Sequence, residues 1–441
     1  MEVRWNNIIV IGSLITGSLT SLLYLQDPDQ YFARSCILYT LAFAPYLFLS
    51  FSLDSGGIKP QPRIFLWFLC VVPFLSLVYA PPALSDDVYR YLWEGRAWAV
   101  GINPYSTAPA ELLGDDLFRQ KVNHAELTAV YPPLMQILTA CVMAVSYSLF
   151  AWKIFLACVF AGGCWGITEL LRSAGKAPER VLLFAWNPLV LVEIGGMGHL
   201  DLLPAVAILF AVLFWELRRD RWMNFALAVG ACTKVFPILL IPLFARGVTA
   251  KTRFNHGISL VLGGGVLFIG TLLILQALAP FDSPLDLFRS LSRYAQAWEF
   301  NSPVYYGALF LGVPKWIVRI ILVSVTVFVV ITTTVTSKPE TDRSCLCGWI
   351  VALWLVCSPV IHPWYIVSLL VFVPLLTSLS WLYLSWSVFL AYSVLPDYRR
   401  YGVWAESTLT LMMIWVPCFL LAAYDLFSWV SLNRRARISH H

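Results

Sequence analysis

Residues 344–396 read SCLCGWIVALWLVCSPVIHPWYIVSLLVFVPLLTSLSWLYLSWSVFLAYSVLP, 53 positions without Asp, Glu, Lys or Arg. A helix needs about 20 apolar residues to cross ~30 Å of hydrocarbon, so this stretch holds at least two crossings. The same signature recurs outward along the chain. Uncharged runs fall at 64–85, 127–152, 257–281 and 320–337, and further apolar segments at 7–26, 35–53, 154–171, 181–198, 202–217, 222–245 and 407–424. The pattern predicts an all-α, polytopic transmembrane protein of about twelve helices. No period-2 alternation runs through these segments, which excludes a β-barrel.

Composition agrees. The 441 residues are 59% hydrophobic and 12% charged, against about 25% charge in soluble domains. A soluble enzyme, a disordered chain and a nucleic-acid binder are excluded. Of ten cysteines, most lie inside apolar runs. Cys345 and Cys347 form a CxC with no second Cys/His pair at zinc spacing, so all ten read as free apolar thiols. Residues 7–26 are too long for a signal-peptide core and lack an A-x-A site, and read as an uncleaved anchor.

The net charge of +5 matters less than its placement. Segment 81–130 carries seven acidic residues (Asp86, Asp87, Glu94, Glu111, Asp115, Asp116, Glu126) against four basic ones. A second polar loop spans 281–302. Short basic segments lie at Arg172/Lys176/Arg180, Arg218/Arg219/Arg221, Arg246/Lys251/Arg253 and Arg434/Arg435/Arg437. The positive-inside rule puts these in the cytoplasm and both polar loops outside. Parity then requires an odd number of crossings between 130 and 172, where two apolar helices are present. Residues 131–149, opened by Pro132-Pro133, are therefore expected to be short or re-entrant, lining a cavity.

The acidic segment opens Pro81-Pro82-Ala83-Leu84-Ser85-Asp86-Asp87-Val88-Tyr89-Arg90-Tyr91. Ser85 is the expected N-cap, with Asp86 and Asp87 in the first helical turn, where the dipole favours carboxylates. Asp86 and Arg90 are four apart, and with Tyr89 and Trp93 they predict a polar, aromatic helix face.

This loop, with "YRYLWEGR" (89–96), "GINPY" (101–105) and "YPPL" (131–134), resembles the GT-C class of integral-membrane glycosyltransferases. The likeness is greatest to bacterial polyprenol-phosphate-mannose-dependent mannosyltransferases and more distant to the GPI mannosyltransferase I catalytic subunit. "AWNPLVLVE" (185–193), "GHLD" (198–201), "TKVFPILLIP" (233–242), "WEFN" (298–301) and "HPWY" (362–365) extend it over roughly residues 80 to 400. The resemblance divides the chain into two extra N-terminal helices (1–53), a core membrane module with the acidic loop (54–260), a C-terminal module with the second loop (261–430) and a basic cytoplasmic tail (431–441).

The resemblance implies an inverting transfer of a hexose, mannose first, from a polyprenyl-phosphate donor. The acceptor is a lipid-linked or polymeric glycan outside the cytoplasmic (inner) membrane, and membrane lipids are the other partners. A carboxylate must take the acceptor hydroxyl's proton, and Asp86 and Asp87 are both candidates for that base. The leaving phosphate calls for cations. Arg289 and Arg293 share a spacing of four, and Lys234 precedes the helix-breaking Pro237; lipid contact or snorkelling is the plainer account of each. His362 is a further phosphate candidate, or a structural interface histidine.

Tyr89, Arg90, Glu94, Tyr131, His199, Asp201, Trp298 and Asn301 are candidates for sugar or acceptor contact. A capping Asp201 with a structural His199, and an aromatic-belt Trp298, are the plainer alternatives. No cofactor is expected: Asp115-Asp116 reads as a solvated turn, no metal-ligand spacing is present, and most of the class works without an obligatory metal. A divalent ion bridging loop carboxylates stays open.

Two other classes compete. A lipid-linked-glycan flippase or transporter predicts repeated halves and midplane charges, where only Lys234 and Glu193 qualify. An O-antigen-type polymerase or ligase predicts a large, late, basic outer loop, whereas the long loop here is early and acidic.

Overall fold

The computed structural model describes residues 5–25, 31–54, 62–245, 250–283, 285–337 and 341–438. Arg246 of the basic segments and the terminal His440-His441 lie outside the described residues. The tail's helix runs to Ile438. Among the described residues every regular element is helical, and the one β contact is an isolated parallel bridge between Phe300 and Val360.

The main elements in chain order are α1 (Trp5–Leu23), α2 (Phe32–Asp54), α3 (Arg63–Leu75), α4 (Asp87–Ala99), α5 (Pro133–Val145), α6 (Leu149–Ser173), α7 (Leu202–Glu216) and α8 (Asp220–Thr233). Then follow α9 (Ala250–Leu278), α10 (Asp286–Ala297), α11 (Pro303–Phe310), α12 (Lys315–Thr336), α13 (Arg343–Val356), α14 (Leu379–Tyr401) and α15 (Thr408–Ile438). Seven of these, α1, α2, α6, α9, α12, α14 and α15, are long and apolar enough to cross a membrane. The other apolar helices, α3, α5, α7, α13 and Phe236–Ala245, are shorter. The protein is an all-α, polytopic membrane protein.

Short polar side chains start several helices by accepting bonds from otherwise unpaired N–H groups. Ser148 accepts from Ala151 N–H at the head of α6, and Asp342 from Ser344 and Cys345 N–H at the head of α13. Asn187, within the NPLV motif, accepts from Leu189 and Val190 N–H while its own amide donates to Tyr46 and Ser385 hydroxyls. It thereby fixes the entry to a π-helical turn over Leu191–Gly196.

At α4 the start is shifted from the sequence reading by one residue. Asp86, not Ser85, is the N-cap position, and Asp87 is the first helical residue. The Ser85 hydroxyl accepts only a long bond from Asp87 N–H, 3.4 Å. Nor does α4 present an open polar face: Val88, Arg90 to Gly95, Ala97 and Trp98 are all buried.

α5 has 13 residues, about 20 Å of helix and less than a full crossing. Both of its ends are tied to the acidic segment. Before it, the Tyr131 hydroxyl lies 3.4 Å from that of Tyr91 on α4. After it, Tyr147 donates to Asp116 at 2.8 Å. The helix is thus short, as expected, and bonded to that segment at both ends.

α4 and α5 approach closely because Gly95 has no side chain. A Cβ there would lie 2.6 Å from the Thr139 carbonyl oxygen. Beside this contact Trp98 donates to Gln136 (2.9 Å), and Gln136 donates to Glu94 (2.7 Å). Gly95→Ala is expected to cost about 1–3 kcal/mol through overpacking, read as a lowered thermal midpoint in detergent. Gly17→Ala, at a site with nothing within 4 Å, should leave the midpoint unchanged.

Candidate active site

The acid pair is held by one amide. Asn123 Nδ2 donates to Asp86 Oδ1 at 2.7 Å and to Asp87 Oδ1 at 2.8 Å. Asp86 is exposed, whereas Asp87 is half-buried. Burial, and then the Asp86 charge, push the Asp87 carboxyl up to about 6, against the opposing pull of Asn123 and Arg90; Asp201 also raises it. Asp87 is thus ionised at neutral pH yet basic enough to take a proton.

Arg90 and Glu94 turn inward from the same helix. Arg90 donates to the carbonyls of Asn123 (2.6 Å), His124 (2.8 Å) and Leu127 (3.0 Å), and lies 3.6 Å from Glu94. It fastens segment 122–128 onto α4. Tyr89 stacks on Phe118 at 5.9 Å and lies under the Lys121 ammonium, on the loop side of the helix.

Asp87 faces a second cluster built from broken helices. After the π-turn, Gly198 adopts φ +80°, and a Cβ there would press on Val88 of α4 at 3.1 Å. This conformation, favoured by glycine, turns the chain so that His199 and Asp201 lie buried under α4. Lys234 ends α8 in extended backbone, just before the 3-10 turn of Phe236–Leu240. Its ammonium pairs with Asp201 at 2.5 Å and lies 3.7 Å from the centre of the Tyr365 ring.

The "HPWY" motif supplies an aromatic stack. Trp364 is sandwiched between His199 (3.9 Å) and His362 (4.3 Å), both nearly parallel to it. Tyr365 shares a 2.8 Å bond with Tyr294 of α10. The "WEFN" motif is joined to this stack by the β-bridge, in which Phe300 N–H donates to Pro359 and Ile361 N–H donates to Phe300. Trp298 stacks on Tyr294 at 5.2 Å and meets His124 edge-on at 5.0 Å. Asn301, at φ +50°, is buried: its amide donates to the Ile361 carbonyl, and it accepts from Trp415 of α15.

Asp86 and Tyr89 lie on the loop side of α4, and the other sequence candidates fall into three groups. Asp87, Tyr131, Asp201, Lys234, His199, His362 and Trp298 converge on one polar region. Arg90 and Asn301 hold backbone through buried bonds, and Glu94 accepts from Gln136 and lies beside Arg90. Arg289 and Arg293 lie exposed on α10, where Arg289 pairs with buried Asp286 at 2.6 Å. Asp116 is not a free solvated acid: it caps Phe118 and Arg119 N–H and accepts from Tyr147.

Four participants were missed in the sequence: Asn123, Trp364, Tyr392 (which donates to Glu193 at 2.9 Å) and Lys153. Lys153 is fully buried in α6 and donates to the carbonyls of Ala80 (2.6 Å) and Gly196. A lone lysine between two apolar runs was its visible signal. Among the described residues no cluster of three or more His, Cys, Asp or Glu is placed to hold a metal.

Fold and site define a polytopic helical membrane protein with a carboxylate pair at the head of a short helix, α4. Residues 35–250, just under half of the chain, match the family model described as "Alpha-(1->6)-mannopyranosyltransferase, N-terminal domain". The chain is also 30% identical over 155 residues to Alpha-(1->6)-mannopyranosyltransferase A of Corynebacterium glutamicum, covering 33% of this chain and 31% of that protein. These matches show the likeness to bacterial mannosyltransferases that the motifs indicated. No solved structure matches.

The Lys234–Asp201 pair sets a stability test. Lys234→Met leaves Asp201 buried without its cation and should lower stability by about 3–5 kcal/mol. Adding Asp201→Asn should restore most of that loss in a double-mutant cycle of denaturant unfolding.

Proposed function

We propose that the protein is an inverting mannosyltransferase. It moves mannose from a polyprenyl-phosphate donor to a lipid-linked or polymeric glycan at the outer face of the cytoplasmic membrane. Asp87 is the base. The observation that carries this is the asymmetry of the acid pair: Asp87 is half-buried, poised near 6 and within reach of the Asp201 charge, whereas Asp86 is exposed.

In the proposed reaction the acceptor hydroxyl attacks the anomeric carbon. Its proton passes to Asp87 as the bond from that carbon to the phosphate oxygen breaks, and the lipid keeps the phosphate. Lys234, paired with Asp201, is the cation proposed for that phosphate. The exposed Arg289 and Arg293 on amphipathic α10 suit lipid headgroups. The outer placement rests on the acidic loops opposing the basic segments. The donor class rests on the resemblance.

The test is incubation of purified protein with polyprenyl-phosphate mannose, glucose and arabinose and candidate acceptors, with products read by mass. Mannose transfer is expected. Asp87→Asn should reduce kcat by about 100-fold or more, and Asp86→Asn by less than about tenfold, with both variants folded. Wild-type kcat should rise with pH through about 6 and level off above it, because only the ionised carboxylate accepts a proton. Full turnover by Asp87→Asn would remove the base assignment.

A further inference from the structure

The Asp86–Asp87 pair is closed into a ring by the chain itself. Arg90, one turn along α4, grips the Asn123 carbonyl at 2.6 Å. The Asn123 side chain then reaches back to the carboxylates, 2.7 Å to Asp86 and 2.8 Å to Asp87. An amide nitrogen carries two hydrogens, so each carboxylate takes one. Both bonds end on Oδ1. Among the described residues Oδ2 of Asp87 has no hydrogen-bond partner.

We propose that Asn123 is a positioning residue for the transfer: its amide, aimed by Arg90, fixes the plane of the Asp87 carboxylate and leaves Oδ2 open to the acceptor hydroxyl. The inference rests on the mannosyltransferase reading. Two geometric points separate it from simple loop anchoring. Arg90 already fastens the segment through three backbone carbonyls, so the Asn123 side chain is not needed to dock it. The amide also bridges two adjacent like charges, which would otherwise repel each other and turn apart.

The groups around Asp87 come from every neighbouring element. Asp86 and Arg90 belong to its own helix start, and Asp201 precedes α7. Glu193 lies in the π-turn, Tyr131 precedes α5, Tyr294 is on α10 and Tyr392 is in α14; each of these lies within reach of the Asp87 charge. Of these, only Asp86 bonds to the Asn123 side chain and loses that bond in Asn123→Ala. Removing the amide takes away a bond that favours the ionised form.

The experiment compares wild type, Asn123→Ala and Asn123→Asp as full-length protein, with thermal midpoints recorded alongside. Asn123→Ala is expected to lose about 10- to 100-fold in kcat, with KM for polyprenyl-phosphate mannose changed less than about threefold. Its acid limb should move up by about one pH unit. Asn123→Asp, which swaps the donor for a third carboxylate, should fall further.

The same shift is read without turnover from the Asp87 carboxyl infrared band, identified by its loss in Asp87→Asn and titrated with pH. An upward midpoint in Asn123→Ala supports the proposal even if that variant is inactive. An unmoved midpoint and an unmoved acid limb overturn it. If instead Asp87→Asn retains full turnover, the base assignment fails, and that result is distinct from a failure at Asn123.

Discussion

The Lys153 ammonium, buried inside apolar α6, has to find oxygen partners within the protein. It finds the carbonyls of Ala80 and Gly196. Neither belongs to a continuing α-helix: Ala80 follows the end of α3, and Gly196 closes the π-turn. Carbonyls at helix ends lack an intrahelical donor and must be satisfied nearby. One cation therefore answers two orphan acceptors and ties two chain breaks to one point. Asp86 lies six residues past Ala80, and His199 three past Gly196. Their common location follows from that knot, with Trp152 adding a 2.8 Å bond to the Gly198 carbonyl.

Around this point the protein gathers its other irregular backbone. The π-turn, the break at Lys234, the left-handed Asn301 and the Phe300–Val360 bridge come from separate parts of the chain. Non-helical backbone near membrane depth is tolerated where protein or a polar cavity satisfies it. Lys153 and Asn187 do so here, and the Asn301 amide links three segments at once. The motifs that run through the sequence as scattered fragments are mostly joints of this assembly. "NPLV" caps the π-turn, "GHLD" turns under α4, and "WEFN" is bridged to "HPWY".

Much of this was legible from apolar patterning, because a bilayer imposes length and polarity rules that act locally on sequence. The helical class, the shortness of α5 and the break before Pro237 all follow from such rules. The helix starts one residue later than the Ser85 cap implies because helix termini are the least determined positions, and the side chain of the actual N-cap, Asp86, bonds Asn123 rather than the helix. Arg90 and Glu94 carry a surface-like spacing, yet they are buried. Spacing within a helix does not reveal that α5 and segment 122–128 wrap it. Asn123 left no signal at all: an asparagine in a polar loop is ordinary, and its importance lies in a bond spanning 36 residues. Glu193 and Tyr392, 199 residues apart, are the same case.

Charge balance bears on how such a site works. Asp87, Asp201 and Glu193 put three carboxyl groups beside the single ammonium of Lys234, and that ammonium is already paired. A departing phosphate placed among them would meet net repulsion. In an inverting displacement, however, the proton acceptor and the leaving group lie on opposite faces of the sugar. The acid-rich wall under α4 then suits the attacking hydroxyl, whose partial positive charge it stabilises as the proton leaves. On the proposed reading the phosphate belongs on the far side of the sugar from that wall. Lys234 is not separated from the acids, since it is bonded to Asp201, so on the proposed reading it turns from that carboxylate to meet the phosphate.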